Sequence, residues 1–383
     1  MIRVAFLFFD MNSYFASVAQ QEEPALIGRP VGVLTTDAPG AACIAASYEA
    51  KVRGVKMGTR QAEARRLCPG IVFRPALHDV YVRYHHAIRA AAERVIPIGQ
   101  AHSVDEFSCY LQGSQQDLNT ALQIAADVQA SILRQVGPAM RCSVGVAPTR
   151  LLAKIAAELH KPMGINWLHP DVMPGKIAHL RLKDIPGLSR GMVPRLERAG
   201  ITDVSRLYAM TPKQARHLWK NVMGERFMQE LQGTPAHWPR SKGKSIGHGQ
   251  VLAMGNRSPA GARLVVRRLL VKAAARLRRE GKYAGSLYLG VKCRRHGWLK
   301  HFGSIGYTRN TLELLQILER YWQALPIEDP KSVNVMLGRL IGANQHTVDL
   351  FTPTAGTADR QEKLCHMIDA LNRRYGRDTV RFG

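Results

Sequence analysis

The chain has 383 residues, and 54 lysines and arginines against 29 aspartates and glutamates leave a net charge of +25. Hydrophobic residues at 46% and charged residues at 22% exclude a disordered, collagen-like or mucin-like chain, and the length calls for two to four domains. No apolar stretch near the start approaches the roughly 20 residues of a membrane span, and six cysteines without a C-x-x-C pair exclude zinc-ribbon and redox motifs, so a cytosolic protein with reduced thiols is expected.

Residues 2–9, apolar and aromatic without a break from Val4 to Phe9, predict a buried strand ended by Asp10, and Asn12 is suited to cap a helix over 12–22. A second strand is expected at 31–35, then a small-residue loop, helical composition over 42–52, and a short helix at 59–67 stopped by Pro69-Gly70. Residues 79–95 read as a longer amphipathic helix. Strand character at 101–111 and 140–146 brackets a helical pattern over 118–136, a succession that points to an α/β sandwich. From Pro170 short helices punctuated by Pro and Gly predict a small helical domain, and the polar stretch 235–243 reads as a linker. A helix capped by Ser258 and stopped at Gly281, with strands at 286–293 and 332–340, predicts a last domain starting near Lys244.

Between Arg240 and Asn310 there are 17 basic residues and one acid, Glu280, so this segment alone carries +16. Charge concentrated in that way attracts a polyanion and makes its binding salt-sensitive, and nucleic acid is the expected partner. A solvated basic face and an anionic membrane surface are the alternatives, but the strand and helix patterns in the same segment favour a folded DNA-binding module.

Asp10 closes one apolar strand, and Asp105 and Glu106 lie inside Ser103-Val104-Asp105-Glu106-Phe107-Ser108, a candidate strand that could pair beside it. Adjacent strand residues point to opposite faces, so Asp105 and Glu106 can share one site only at a strand end, turn or bulge. Three such carboxylates suit two hard divalent cations acting in phosphoryl transfer.

The chain resembles the Y-family translesion DNA polymerases over essentially its whole length. The resemblance rests on Phe9-Asp10-Met11-Asn12-Ser13-Tyr14-Phe15-Ala16-Ser17-Val18, on Tyr48-Glu49-Ala50-Lys51-Val52-Arg53-Gly54-Val55-Lys56-Met57-Gly58, on Ser103-Val104-Asp105-Glu106, and on the run from Cys142 to Ala156. It implies an α+β right-hand polymerase: a ferredoxin-like palm over 1–12 and 77–167, small fingers over 13–76, and a helical thumb over 168–234. A linker at 235–243, an α+β little finger over 244–351 and a C-terminal tail over 352–383 complete it. It also implies that Asp10 and Asp105 bridge two magnesium ions, that Glu106 completes the primer-side ion, and that the Met11 carbonyl holds the nucleotide-side one. The implied reaction transfers a nucleotide from a deoxynucleoside triphosphate to a primer 3′-hydroxyl.

By the same resemblance Phe15 is a steric gate against ribose, and Tyr48, Lys51 and Lys161 meet the triphosphate. Gly187, in Ile185-Pro186-Gly187-Leu188-Ser189, belongs to a helix-hairpin-helix-like turn that receives a DNA phosphate. In the little finger Arg263, Arg267, Arg294, Arg295 and Lys300 are candidate backbone contacts. Gln345, Val348, Leu350 and Phe351 form a short peptide similar to those that bind a sliding clamp. Residues 371–380 resemble the ending of the bacterial polymerase V-like branch, which implies accessory subunits or a recombinase filament as partners. The chain departs from the family at Asn12, Ser13 and Ala45, which bears on nucleotide affinity and leaves the carboxylates intact. The alternative readings are a catalytically inactive clamp and DNA adaptor of the same fold, a palm-fold nucleotide cyclase, and a purely structural DNA-binding protein.

Overall fold

The computed structural model describes residues 2–35, 40–188, 190–238, 243–346, 355–376 and 379–382. The chain divides into two compact units, Met1–Pro239 and Arg240–Gly383.

In the first unit the elements run β1 (Phe6–Met11), α1 (Tyr14–Glu22), β2 (Val31–Leu34), β3 (Cys43–Ala46), α2 (Tyr48–Lys51), α3 (Gln61–Leu67), β4 (Val72–Pro75) and α4 (His78–Glu93). There follow β5 (Gln100–Ala101), β6 (Glu106–Tyr110), α5 (Leu118–Gln135), β7 (Cys142–Ala147), α6 (Arg150–Leu159) and β8 (Ile165–Trp167), then the short helices α7 (Val193–Arg198), α8 (Val204–Tyr208), α9 (Pro212–Trp219) and α10 (Val222–Leu231). One sheet has the order β5-β6-β1-β7-β8, with β1 antiparallel to both β6 and β7 at its centre. A smaller sheet has the order β3-β2-β4.

Alternation along β1 sets up the site. Leu7, Phe9 and Met11 join the core formed with α4 and α5, whereas Phe8 packs in the separate core with α6 and the helices that follow. Asp10 shares the face of Phe8 and therefore lies on the α6 side of the sheet. Gly145 on β7 lets α6 press against the strand, because a Cβ there would lie 2.0 Å from the carbonyl oxygen of Ala153. A side chain at 145 would push away the helix that carries Lys154.

Several sequence expectations change. The alanine-rich segment 42–52 does not form one helix: Gly32 pairs with Ala46 and Val33 with Ala45, so β3 joins a sheet before α2 begins. Sheet pairing outweighs the helix preference of alanine there. Residues 101–111 are likewise not one strand, since a bend separates β5 from β6. Asn12 does not cap α1. Ser13 takes the N-cap position at φ +50°, while the Asn12 amide bonds the Ser143 hydroxyl at 3.0 Å and accepts from the Met163 N–H at 2.9 Å. The six cysteines are buried and free.

The second unit contains β9 (Ser245–Val251), α11 (Pro259–Arg279), β10 (Lys282–Cys293), β11 (Gly297–Thr308), α12 (Thr311–Gln323), β12 (Pro330–Gly342) and α13 (Ala355–Tyr375). Its antiparallel sheet has the order β11-β10-β12-β9. Ser258 caps α11 through the Gly261 N–H, with Pro259 in the first turn, and Val266, Leu270, Ala273 and Leu277 bury that helix in a core with Leu287, Leu289, Val291, Val333 and Val335. The sheet is thus covered on one face by α11 and α12.

Arg278 is buried inside this layer, where it donates to the Asp369 carboxylate of α13 at 2.7 and 2.9 Å, to the Thr311 hydroxyl at 2.7 Å and to the Arg309 carbonyl at 2.8 Å. Removing one partner of a buried ion pair strands the other charge and costs about 3–5 kcal/mol. Asp369→Asn is therefore expected to lower the urea midpoint of the second unit, followed by far-ultraviolet circular dichroism, whereas the double change Arg278→Met, Asp369→Leu recovers most of the loss. An unchanged midpoint in Asp369→Asn would show that α13 is not held by this pair.

Candidate active site

Asp10 and Glu106 are direct partners in the β1–β6 register, so both side chains stand on the α6 face. Asp105 precedes β6 by one residue, in the bend, and its carbonyl accepts the Met11 N–H at 3.0 Å. The bend frees Asp105 from strand alternation, which is how successive acids come to one strand end. Its carboxylate accepts from the Ser103 hydroxyl at 2.5 Å.

Each of the two paired carboxylates meets an ammonium. Lys161 lies 3.1 Å from Asp10 and 2.7 Å from Glu158, and Lys154 of α6 lies 2.5 Å from Glu106. Burial holds the Asp10 carboxyl above the ordinary carboxylate range, against the pull of Lys161. Burial alone would lower the Lys161 ammonium, but the carboxylates of Asp10 and Glu158 outweigh it and keep its pKa raised. Lys51 is lowered by burial and by the like charge of Lys161, and burial raises the Tyr48 phenol. The Lys51 ammonium lies 4.5 Å from the centre of the Tyr48 ring. Cations held close together in half-buried surroundings are stabilised by a neighbouring anion.

Among the described residues no group of three acidic, His or Cys side chains is closed into a metal cage. The donor set nevertheless fits hard divalent cations: Asp10, Asp105, Glu106 and the Met11 carbonyl offer oxygen alone, and magnesium is commonly held by one or two carboxylates together with substrate phosphates. The present ion pairs of Asp10 and Glu106 hold the same carboxylates that a cation would use.

Phe15 is half-buried on α1, with its ring 4.2 Å from that of Tyr81 on α4, and the Tyr14 hydroxyl donates to the Tyr81 carbonyl at 2.6 Å. The geometry thus brings Asp10, Met11, Asp105 and Glu106 to adjoining strand ends, with Tyr48, Lys51 and Lys161 grouped near Asp10. Lys154 is not among the residues singled out from the sequence, because a position on a helix surface explains a lysine there equally well; its place inside the run from Cys142 to Ala156 is the available signal.

The remaining candidates lie on other elements. Gly187 has φ +91° and sits against Phe227 in the helical part of the first unit, and Ser189 lies outside the described residues. Arg263 and Arg267 are on α11, where Arg263 is paired with Glu319 at 2.6 Å, whereas Lys300 is exposed on β11 and Arg294 is paired with Asp329 at 2.7 Å. Arg295 is exposed in the β10–β11 turn. Gln345 accepts from the Gly342 N–H at 3.3 Å, and Val348, Leu350 and Phe351 lie outside the described residues. No described helix is long and apolar enough to cross a membrane.

His102 directly follows β5, stacked 5.5 Å from Phe8 and 2.8 Å from the Ser108 hydroxyl. Burial, with Arg150 and Lys154 nearby, pushes its pKa down to about 4. Between pH 6.5 and about 4 the unfolded chain takes up a proton that folded His102 refuses, so stability falls as pH falls through that window. His102→Gln is expected to flatten the decline of Tm across it; parallel wild-type and variant curves would count against this environment.

Residues 9–158 match the impB/mucB/samB family and residues 243–350 match that family's C-terminal domain. The chain is 31% identical to DNA polymerase IV of Moorella thermoacetica, over 97% of this chain and 93% of that one, and 25% identical to DNA polymerase IV 1 of Bacillus subtilis, over 98% and 91%. Its fold is similar to that of a solved Y-family DNA polymerase chimera, with a TM-score of 0.75 and 18% identity over 88% of this chain and 99% of that one. With the site's carboxylates and the matched segments together, the chain belongs to the Y family of DNA polymerases.

Proposed function

We propose that this chain is a DNA-directed DNA polymerase that extends primers past damaged template bases. What supports the reading is the pairing of Asp10 with Glu106 across two strands, with Asp105 at the adjoining strand end, in a chain of this family. In the proposed architecture the five-stranded sheet is the palm, over 1–12 and 77–167, with fingers over 13–76 and a thumb over 168–234. The linker 235–243 leads to a little finger over 244–351 and a tail over 352–383.

Two magnesium ions would be held by Asp10 and Asp105, with Glu106 on the primer side and the Met11 carbonyl on the nucleotide side. Bound there, they would supply activation of the attacking hydroxyl and neutralisation of charge on the phosphates. The primer 3′-oxygen attacks the α-phosphorus of the incoming nucleotide and pyrophosphate leaves. Lys51, Tyr48 and Lys161 bind the triphosphate, and the charge of an incoming phosphate compensates Lys51 for its burial beside Lys161. Phe15, its ring 4.2 Å from that of Tyr81, would fill the volume that a 2′-hydroxyl needs.

Gly187, Arg263, Arg267, Arg294, Arg295 and Lys300 are proposed contacts to the DNA backbone. A sliding clamp bound through residues 345–351, and accessory subunits or a recombinase filament, are proposed partners in the cytoplasm.

Magnesium-dependent primer extension on undamaged and abasic templates tests the reading. The wild type is expected to extend both, and the double variant Asp105→Ala, Glu106→Ala to lose at least a thousandfold in rate, on the order of the 4 kcal/mol that several kcal/mol of metal-held charge stabilisation implies. A folded, DNA-binding wild type without extension would point to the inactive adaptor. For the gate, Phe15→Ala is expected to raise ribonucleotide incorporation at least tenfold in single-nucleotide insertion assays, and unchanged sugar discrimination would remove Phe15 from this role.

A further inference from the structure

Helix α13 is fastened to the second unit along one side. Cys365 and Ile368 are buried there, Asp369 and Glu362 are paired with Arg278 and Arg309, and Asn310 donates to the Gln361 side chain at 2.6 Å. A neighbouring side carries Leu364, Met367, Leu371 and Tyr375, which are 40%, 60%, 41% and 61% exposed. Steps of three and four residues keep these four on one side of the helix, over roughly 16 Å. Single apolar residues scattered over a surface are ordinary, whereas a contiguous row of four marks a site of association.

Spacing and charge together identify the occupant. Large apolar side chains at steps of three and four form the seam against which a second helix packs, knobs into holes. The charges of α13 are sorted between its sides. Glu362 and Asp369 are engaged on the inner side, whereas Arg360 and Arg374 are exposed along the apolar row with no carboxylate partner among the described residues. The Arg374 guanidinium lies 5.4 Å from the centre of the Tyr375 ring, and Lys363 is exposed one turn before Met367. An apolar row edged by cations is complementary to a helix whose own apolar row is edged by Glu or Asp. A second copy of this chain fits poorly, because two such rows face to face would set Arg360 and Arg374 against the same groups in either orientation, between chains that each carry +25.

We propose that the outer side of α13 docks an acidic amphipathic helix of a partner protein, with Leu364, Met367, Leu371 and Tyr375 as anchors and with Arg360 and Arg374 selecting its charge. The inference rests on the second unit alone and is independent of the polymerase reading, since none of these residues belongs to the candidate active site.

Fluorescence anisotropy of the full-length protein with two labelled synthetic helices tests this. Both helices carry leucine at their a and d positions, one with glutamate and the other with lysine at e and g. The wild type is expected to bind the acidic helix about tenfold more tightly than the basic one, and the double change Met367→Glu, Leu371→Glu to weaken that binding about tenfold, the scale of losing buried anchors from an interface. Arg360→Glu with Arg374→Glu is expected to reverse the preference towards the basic helix. Both double variants are expected to keep the wild-type thermal melting and the wild-type rate of primer extension on undamaged template, because the changed side chains are exposed and lie outside the candidate active site. Binding of neither helix, or equal binding of both, would overturn the proposal. A concentration-dependent dimer in sedimentation that Met367→Glu, Leu371→Glu abolishes would overturn it in favour of a second copy of this chain. Binding to phosphatidylserine vesicles that the same variant loses, with no preference between the two helices, would overturn it in favour of a lipid surface.

Discussion

Two carboxylates held side by side on antiparallel strands, one of them buried, need a proton or nearby positive charge to offset their repulsion and burial. In this chain Lys161 meets Asp10 and Lys154 meets Glu106. The arrangement of the first unit serves that constraint. Strand β1 is central, so Asp10 has strands on both sides, and the close contact of β7 with α6 at Gly145 brings the helix carrying Lys154 over the acids. Asn12 fixes the strand end from the other direction, because its side chain bonds both Ser143 and the Met163 backbone just beyond Lys161. Acids and counter-charges are thus fixed by one interlocked set of backbone elements.

The same charges make the site responsive to an anionic substrate. Burial and Lys161 both disfavour a charged Lys51, and burial disfavours a charged Asp10. In the proposed reaction a triphosphate with divalent cations would relieve both strains at once, the phosphates compensating the lysines and the cations the carboxylates. Binding of nucleotide and cation would then be coupled through side chains that are poorly compensated on their own.

Much of this was legible in the sequence where the physics is local. The apolar run ending in Asp10 announced a buried strand, and the Ser258-Pro259 start and Gly281 stop of α11 are signals that act over one helical turn. What escaped depends on partners distant in sequence. β3 is Cys43-Ile44-Ala45-Ala46, in which one isoleucine among small residues gives no alternation, and its place as a strand comes from pairing with β2. β11 alternates, but its inward positions include Gly297, His301 and Gly303, so the period-two signal is faint. Successive Asp105 and Glu106 could be read as one site only on condition of a strand end, and the bend before β6 supplies that end. Lys154 looked like any exposed lysine until the fold set it against Glu106.

The basic charge of the second unit shows why counting residues overstates what a polyanion can reach. The +16 of residues 240–310 reads as a uniform field in sequence. In the fold, Arg263, Arg276 and Arg278 of α11 are each tied to a carboxylate, and Arg294 to Asp329. Those ion pairs hold the helices and turns of the unit together, and their charge is largely neutralised before any ligand arrives. Lys292 and Lys300 are different, because strand alternation turns them outward among aromatic rings and no acid shares their face. Counterion release follows the phosphates that are newly neutralised, so the salt dependence of DNA binding should track these outward lysines more closely than the arginines that already have partners.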